Sequence, residues 1–305
     1  MKIMVAEYAV GGGGGRGEKN GSLWREGEAM LTTLRASFEG TGNEVLYPVA
    51  EDDFETALVT LSKESDAGIV IAPDKKLERL TKLVESNTVN LGCPSECVKL
   101  CADKKRTTEV LSEHGISVPR IVSDAEREGD ARGVYVKKPR YGCASEDVLI
   151  MNGSPIHEAA NNEEYIVTEY IKGEDISSSV IVGASSVLPL TINKQFIKVD
   201  SGRLHYEGGE VPFFMGLEAE KEIIRVSKKV AAVLHCQGYV GIDLVFGEDG
   251  QAYVVDVNPR PTTSVVGIAK VLKYEIADLI LRAKFGTLPR EEEIETEGHV
   301  IFTLS

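Results

Sequence analysis

The chain has 305 residues and a formal net charge of −14 at pH 7, with no sustained basic cluster. This charge argues against a nucleic-acid partner or an anionic membrane surface, because both select basic patches. The length exceeds what one hydrophobic core usually organises, so we expect two or three lobes. No apolar stretch approaches the roughly 18 residues that span a bilayer. The first ten residues are too short and too acidic for a signal peptide, which favours a cytoplasmic protein.

The first third of the chain alternates between short apolar strands and amphipathic helices. Strands are predicted at residues 2–6, 44–47, 67–72 and 89–91, and helices at residues 23–38, 54–61 and 77–84. Such alternation predicts a parallel sheet with helices on both faces. We therefore expect an N-terminal α/β, Rossmann-like lobe over residues 1–92.

A run of five glycines, Gly11 to Gly15, follows the first predicted strand and suggests a phosphate or dinucleotide loop. The run lacks the Gly-Lys-Ser/Thr ending of a phosphate loop, and no helix begins until after residues 16–21. No helix N-terminus would then face a phosphate. We interpret the run as a flexible lid or disordered loop, and a Rossmann dehydrogenase is the minor alternative.

Three cysteines, Cys93, Cys97 and Cys101, recur at every fourth residue and would share one face of a helix that begins near Pro94. Zinc and iron–sulfur motifs usually contain tighter Cys-x-x-Cys pairs. We therefore favour a buried stripe of reduced, packed thiols over a metal or redox site.

The rest of the chain changes character after residue 92. Helices are predicted at residues 95–100, 104–113 and 218–235, and strands at residues 176–182, 187–196, 239–246 and 251–257. Residues 115–170 read as a small, strand-rich central subdomain. An α+β lobe with an antiparallel sheet would then comprise residues 93–114 and 171–305. A cleft between two such lobes suits a nucleotide held at a hinge.

Three oxygen donors could converge on one side of the last predicted hairpin. Asp243 lies on its first strand, Asp256 on its second, and Asn258 follows two residues later. A lone strand aspartate is as often a surface residue, but buried carboxylates without a cation are costly. Hard oxygen ligands suit Mg²⁺, which usually completes its shell with water and nucleotide phosphates. The hairpin therefore predicts half of a metal–nucleotide site.

The spacing of Asp243, Asp256, Asn258 and Arg260 resembles the metal-binding signature of the ATP-grasp superfamily. The resemblance implies an ATP-grasp fold, with ATP and Mg²⁺ (or Mn²⁺) as cofactors and the first three residues as metal ligands. The superfamily usually has Glu at the position of Asp256. The number of bound metal ions therefore stays open.

Two lysines upstream match the phosphate-binding lysines of the same superfamily. Lys104 stands at the start of a predicted helix, within residues 102–107. Lys138 ends a predicted strand, and the glycine-containing loop of residues 140–145 follows it. Lysines act as point charges on phosphate oxygens, and loop amides can approach them closely. The resemblance implies that both lysines bind ATP.

Residues 165–174 are similar to the interdomain hinge of the superfamily. The resemblance implies that the backbone of Glu169, Tyr170 and Ile171 binds the adenine edge. It also implies that Glu174 accepts hydrogen bonds from the ribose hydroxyls.

The superfamily mostly transfers a phosphoryl group from ATP to a carboxylate, and an amine then displaces phosphate. The resemblance implies an ATP-dependent ligase that forms an amide through an acyl phosphate. Lys138 would offset charge on the transferring group, and the planar fork of Arg260 would hold the acceptor carboxylate or the acyl phosphate. These two residues are the predicted catalytic residues.

A narrower resemblance is to the tyramine–glutamate ligases of methanofuran biosynthesis. It rests on residues 6–9, 25–30, 90–93, 95–96, 193–197 and 208–211. It implies glutamate and tyramine as small-molecule substrates, with Asn193, Gln195, Gly209 and Arg260 along the acceptor pocket. Glu7, Tyr8 or Trp24 would meet the aromatic amine.

Two alternatives stay open within the superfamily. One is a ligase for another amino acid, a peptide or a purine precursor. The other is a catalytically silent, ATP-binding regulator, for which Asp256 in place of Glu is the only hint. The sequence identifies neither the base that deprotonates the amine nor the oligomeric state, so a homo-oligomer stays open.

Overall fold

The computed structural model describes residues 1–14, 21–49, 53–122, 133–142, 147–153 and 164–303. Gly15 lies outside these residues, as does half of the predicted phosphate loop of residues 140–145, including Cys143. Gly11 to Gly14 form turns directly after the first strand.

The N-terminal lobe is a four-stranded parallel sheet in the order β2-β1-β3-β4. Its strands are β1 (Lys2–Glu7), β2 (Glu44–Leu46), β3 (Ala67–Ile71) and β4 (Val89–Asn90). Its helices are α1 (Ser22–Gly40), α2 (Phe54–Glu64) and α3 (Asp74–Asn87). The predicted βαβ series is therefore present, with ends that differ by a few residues.

Alternation along the buried strands places helices on both faces of this sheet. Met4 and Ala6 belong to the core that includes residues of α2 and α3, whereas Ile3 and Val5 pack in the core with α1. Successive strand residues point to opposite faces, so a strand buried on both sides reads as one continuous apolar run.

A second, antiparallel sheet has nine strands in the described residues, in the order β12-β11-β8-β9-β10-β6-β5-β7, with β13 paired to β10. These strands are β5 (Val134–Pro139), β6 (Leu149–Asn152), β7 (Tyr165–Glu169), β8 (Gly173–Val182), β9 (Val187–Asp200), β10 (Arg203–Val211), β11 (Gly238–Gly247), β12 (Ala252–Asn258) and β13 (Val300–Thr303). The three strands of the predicted central subdomain join the larger sheet at one pair, Arg203 opposite Leu149.

Five further helices complete the described chain. They are α4 (Ser95–Ala102), α5 (Lys104–Glu113), α6 (Leu217–Val233), α7 (Val265–Val271) and α8 (Ile276–Phe285). Helices α7 and α8 share a buried core with α1, so apolar packing joins the two lobes. A polar contact supports it, because the Ser37 hydroxyl donates to Glu275 at 2.6 Å.

The predicted combination of an α/β lobe and an antiparallel α+β lobe is confirmed. The boundaries proposed for the three domains stay a prediction. Within the described ranges, no helix is long and apolar enough to cross a bilayer.

Candidate active site

A cleft with a volume of about 280 Å³ lies between the lobes. Glu7 at the end of β1 contributes to its wall from the N-terminal sheet, Tyr170 from the segment after β7, and Asp243 from β11. Side chains from distant parts of the sequence therefore meet in one cavity.

The predicted metal ligands come together on the β11–β12 hairpin. Asp243 and Asp256 lie directly opposite each other in the antiparallel ladder, and a bulge follows Asp243. The Asn258 amide donates to the Asp243 carboxylate at 3.0 Å, and the Gln195 amide donates to its other oxygen at 2.9 Å. Two carboxylates and an amide oxygen thus lie side by side in the cleft wall.

The charge at Asp243 is costly in the ligand-free protein. Burial and, secondly, repulsion by Asp256 raise the pKa of Asp243 to about 7. A divalent cation would relieve both effects, and the oxygen donors suit a hard ion such as Mg²⁺. The chemistry of the three side chains therefore fits the metal that the family uses.

Lys104 is the first residue of α5 and holds the second of these acids. Its ammonium donates to both carboxylate oxygens of Asp256, at 2.8 and 2.7 Å, and lies 3.6 Å from Asp74. Burial opposes its charge, but Asp256 and Asp74 outweigh that effect and raise the pKa of Lys104. Asp74 is a residue that sequence reasoning missed.

Asp103 and Arg140 fix the approach of Lys104 to the cleft. The Asp103 carboxylate caps α5 by accepting from the Arg106 amide at 3.1 Å. Arg140 donates to both oxygens of Asp103, at 2.8 and 2.7 Å, and its carbonyl accepts from the Lys104 amide at 3.0 Å. The start of the predicted phosphate loop is thereby tied to the start of α5.

Lys138 lines the cleft from β5, where its ammonium donates to the Val255 carbonyl at 2.7 Å. Burial lowers the pKa of Lys138 to about 8, with Lys104 as a further lowering charge against the raising effect of Asp256. The adjacent Lys137 lies over the Tyr165 ring at 4.1 Å instead. Because neighbouring side chains of a strand point to opposite faces, Lys138 reaches the cleft and Lys137 does not.

The predicted hinge residues Glu169, Tyr170 and Ile171 all line the cleft. The amides of Glu169 and Tyr170 donate to the carbonyls of Arg120 and Val134, each at 3.0 Å. Among the described residues, no backbone acceptor pairs with the amide of Ile171. The adenine contact of these three residues stays a prediction.

Glu174 lies outside the lining of the cleft. Its carboxylate accepts from Lys194 at 2.8 Å and is half-exposed. The next residue, Asp175, lines the cleft instead, and burial raises the pKa of Asp175. Asp175 carried no predicted role, and the ribose contact of Glu174 stays a prediction.

Arg260 lines the cleft, as do two acids, Glu7 and Glu26. Its charge acts to lower the pKa of each, but burial outweighs it, so the pKa of Glu26 is raised and that of Glu7 reaches about 7. Glu7 accepts from the Val10 amide at 2.7 Å, and Glu26 accepts from the Thr263 hydroxyl at 2.9 Å. In the described structure the buried Arg260 Nε has no hydrogen-bond partner.

Of the three other predicted acceptor-pocket residues, only Gln195 lines the cleft. Asn193 is buried and donates to the Ser177 hydroxyl at 3.2 Å. At Gly209, a Cβ atom would lie 2.5 Å from the Lys194 carbonyl, so glycine is needed where β9 and β10 approach. Tyr206 of β10, which sequence reasoning missed, lines the cleft.

The two aromatic residues predicted to meet an amine lie elsewhere. Tyr8 packs edge-on against Phe54, with ring centroids 5.2 Å apart. Trp24 also lies outside the cleft lining. Glu7, predicted together with them, does line the cleft, and Glu26, which carried no predicted role, lies with it.

Comparison with known proteins agrees with the resemblance found in the sequence. The ATP-grasp domain family matches residues 101–264, which is more than half of the chain. The tyramine–L-glutamate ligase of Methanocaldococcus jannaschii is 28% identical over 304 residues, covering 92% of this chain and 88% of that protein.

Solved structures show the same architecture. A crystal structure from Archaeoglobus fulgidus, assigned to the ATP-grasp superfamily, has a TM-score of 0.75 and 26% identity, covering 93% of this chain and 89% of that one. The D-alanine–D-alanine ligase of Bacillus anthracis has a TM-score of 0.68 and 18% identity, covering 93% and 97%. The second similarity concerns the fold alone.

Proposed function

The chain belongs to the ATP-grasp family as an ATP-dependent carboxylate–amine ligase, and on this premise we propose that it joins the side-chain carboxylate of glutamate to tyramine. A glutamate oxygen would bond to the terminal phosphorus of ATP as ADP leaves. The amine nitrogen would then bond to the acyl carbon as phosphate leaves. Such a reaction would place the chain in methanofuran biosynthesis.

The acid and lysine cluster supports the phosphoryl-transfer half of this proposal. Asp243, Asp256 and Asn258 would hold Mg²⁺ or Mn²⁺, which supplies positive charge to the phosphates. Lys104 and Lys138 would exchange their present partners, Asp256 and the Val255 carbonyl, for phosphate oxygens. Fixed charges of this kind stabilise charge that develops during transfer.

The observation that carries the substrate assignment is that Arg260, Glu7 and Glu26 line the same cleft and that the charge of Arg260 acts on both acids. A guanidinium binds a carboxylate with two parallel hydrogen bonds, which suits the glutamate acceptor. Two acids beside it suit an ammonium group, which is how tyramine reaches the enzyme at neutral pH. Leu23 and Met30 of α1 line the same cleft and offer apolar contact to a ring.

The same two acids also supply a place for the proton that the amine must lose. A base with a pKa near the working pH accepts and releases protons efficiently. Burial raises the pKa of Glu7 to about 7, so Glu7 is the better placed of the two acids for that role.

The direct test is ADP release by the purified protein with Mg²⁺-ATP, glutamate and a panel of amines that includes tyramine. We expect ADP to depend on both glutamate and tyramine, and mass spectrometry to detect an equal amount of the glutamyl amide. ADP release with a different acid or amine would retain the ligase and reject the substrates. ATP binding with no turnover on any pair would point to a regulator.

A paired substitution on the hairpin tests the site itself. Asp243→Asn removes a carboxylate from the metal site, so turnover should fall by orders of magnitude while the fold is kept. Glu248→Gln, in the exposed turn of the same hairpin, should retain the wild-type rate. Equal rates in the two variants would reject the assignment of the metal site.

A further inference from the structure

Four buried cysteines meet in the core, away from the cleft. Cys93 follows β4, Cys97 and Cys101 lie on one face of α4, and Cys236 lies in the turn between α6 and β11. Their exposed fractions are 1%, 5%, 2% and 4%. The fourth cysteine could not be assigned to this group from sequence, because 135 positions separate Cys101 from Cys236.

Three of the four sulfur atoms lie at separations that one bound ion requires, and the fourth, that of Cys101, contacts Cys97. Cys97 Sγ is 3.6 Å from Cys236 Sγ and 3.9 Å from Cys101 Sγ. The sulfurs of Cys93, Cys97 and Cys236 all lie within 4.8 Å of one another. A tetrahedral zinc ion with Zn–S bonds of about 2.3 Å has S···S edges of about 3.8 Å. The short separations already match that value.

Apolar packing alone does not require this arrangement. A neutral cysteine behaves as a small apolar residue and packs equally well among aliphatic side chains. Here thiols from three segments of the chain contact one another instead. Soft thiolate ligands in a closed, tetrahedral set select zinc over the hard ions Mg²⁺ and Ca²⁺. We propose that Cys93, Cys97, Cys101 and Cys236 form a structural zinc site.

Binding would exchange thiol protons for the ion. Each ligating thiol releases one proton to solvent as its sulfur bonds to zinc. The Cys93 thiol now donates to the Gln237 carbonyl at 2.9 Å, and this hydrogen bond would be lost. The Gln237 amide, 3.4 Å from the same sulfur, already donates to it and would remain to stabilise the thiolate.

The site would tie together two elements that carry cleft residues. Lys104 begins α5 only three positions after Cys101, and β11, which begins two positions after Cys236, carries Asp243. A zinc ion here would hold α4 and α5 against the start of β11. The inference does not depend on the proposed substrates, because its readout is metal content rather than ligase activity.

The test is the zinc content of the purified, untagged chain from zinc-supplemented cells, measured by mass spectrometry of the elements. We expect about one zinc ion per chain after dialysis. Cys97→Ser and Cys236→Ser should each lower the content to that of a protein blank. Cys143→Ser, which changes the one cysteine of the sequence that the proposed ligand set does not include, should retain it.

A second measurement decides the case in which the serine variants fail to fold. Reduced wild-type protein, freed of zinc by a chelator and then titrated with Co²⁺, should develop the intense absorption of a cobalt–thiolate complex, and added zinc should remove it. Wild-type protein without zinc and without this absorption would overturn the proposal. A disulfide between Cys97 and Cys236 in the protein purified without reductant would overturn it as well.

Discussion

Lys138 is held in the cleft wall by a single described hydrogen bond, to the Val255 carbonyl at 2.7 Å. Its folded pKa of about 8 lies below the unfolded value of 10.5. The ammonium therefore destabilises the ligand-free fold fully below pH 8, and the cost is relieved as pH rises from 8 to 10.5. Bound phosphates would offset this destabilisation, because they place negative charge next to the buried ammonium.

We expect Lys138→Met to raise the melting temperature of the ligand-free protein at pH 7 and to reduce turnover by orders of magnitude. The stability gain is at most about 3 kcal/mol from the pKa shift, reduced by about 1 kcal/mol for the lost hydrogen bond. Thermal denaturation and ADP release measure the two effects. The control is Lys137→Met on the same strand, which should keep its activity. A destabilised, fully active Lys138→Met protein would contradict this account.

Glu7 gives a prediction with the opposite pH dependence. Burial raises its folded pKa from 4.5 to about 7. Its neutral form stabilises the fold fully below pH 4.5, and that contribution is lost as pH rises through 7. Glu7→Gln cannot ionise, so the variant should match wild type near pH 4.5 and exceed it by at most about 3 kcal/mol at pH 8.

The measurement is the difference in melting temperature between Glu7→Gln and wild type at a series of pH values. Glu28→Gln, an exposed acid on α1, should show no such rise. The Glu7 variant should also need more amine for half-maximal ADP release, because one anionic contact to the ammonium is lost. A flat difference across the pH range would show that Glu7 ionises freely in the folded protein.

At the scale of elements, the packing of α1 against β1 positions the two acids. A Cβ atom on Gly27 would lie 2.5 Å from a Glu7 carboxylate oxygen, so the absent side chain lets α1 pass close to Glu7. Glu26 is adjacent on the same helix and faces Thr263. Glycine at this position therefore sets how closely α1 approaches Glu7, on the side of the cleft where we propose that the amine binds.

Gly27→Ala should displace the Glu7 carboxylate, so more amine should be needed for half-maximal ADP release. The ATP concentration needed for half-maximal release should change less. Gly40→Ala in the same helix is the matched control, because its added Cβ would meet ordinary contacts at 3.7 Å. Because Gly40 is the last residue of α1, alanine there should change the free energy of unfolding by no more than about 0.5 kcal/mol. Steady-state kinetics of both variants test this, and equal amine dependence would contradict it.

The elements that sequence predicts well are those whose local pattern agrees with their final environment. Helix α5 begins at Lys104, as predicted, because Asp103 is a capping residue and that cap forms. Strand β10 was not predicted, although Leu204 and Tyr206 alternate with polar residues, because two glycines follow Glu207 and interrupt the pattern. Its pairing with β9, β13 and β6 fixes its strand conformation. Tyr206 reaches the cleft only through that pairing.

The candidate site divides in the same way. Motifs could identify Asp243, Asp256 and Lys104, because the spacing of these motifs along the chain resembles that of a known superfamily. Asp74 lies in no such motif, and Glu26 lies in a segment of the narrower resemblance but carried no predicted role. Asp74 follows the carboxyl end of β3, and Glu7 ends the neighbouring β1. Adjacent strand ends of a parallel sheet meet at one edge, and that general rule is the signal that could have found Asp74.

At the scale of the whole molecule, charged side chains from the two lobes lie close together beside the cleft. Asp74 comes from the N-terminal lobe and Asp256 from the C-terminal one, and Lys104 is the cation placed between them. Burial raises the pKa of Asp74, with repulsion by Asp256 as a further cause against the lowering effect of Lys104. The ligand-free cleft is therefore an electrostatically costly arrangement that a metal nucleotide should stabilise.

We expect Mg²⁺-ATP to raise the melting temperature of the protein, because a ligand that binds only the folded state stabilises it by mass action. At one hundred times the dissociation constant the gain is about 2.7 kcal/mol, or roughly 5 °C for a chain of this size. A chelator should remove most of the shift if the metal joins the hairpin acids to the phosphates. The Asp243→Asn variant should show a smaller shift than Glu248→Gln. A nicotinamide dinucleotide that stabilises the protein more than Mg²⁺-ATP does would reject the ATP site and favour the glycine run after β1 as the nucleotide loop.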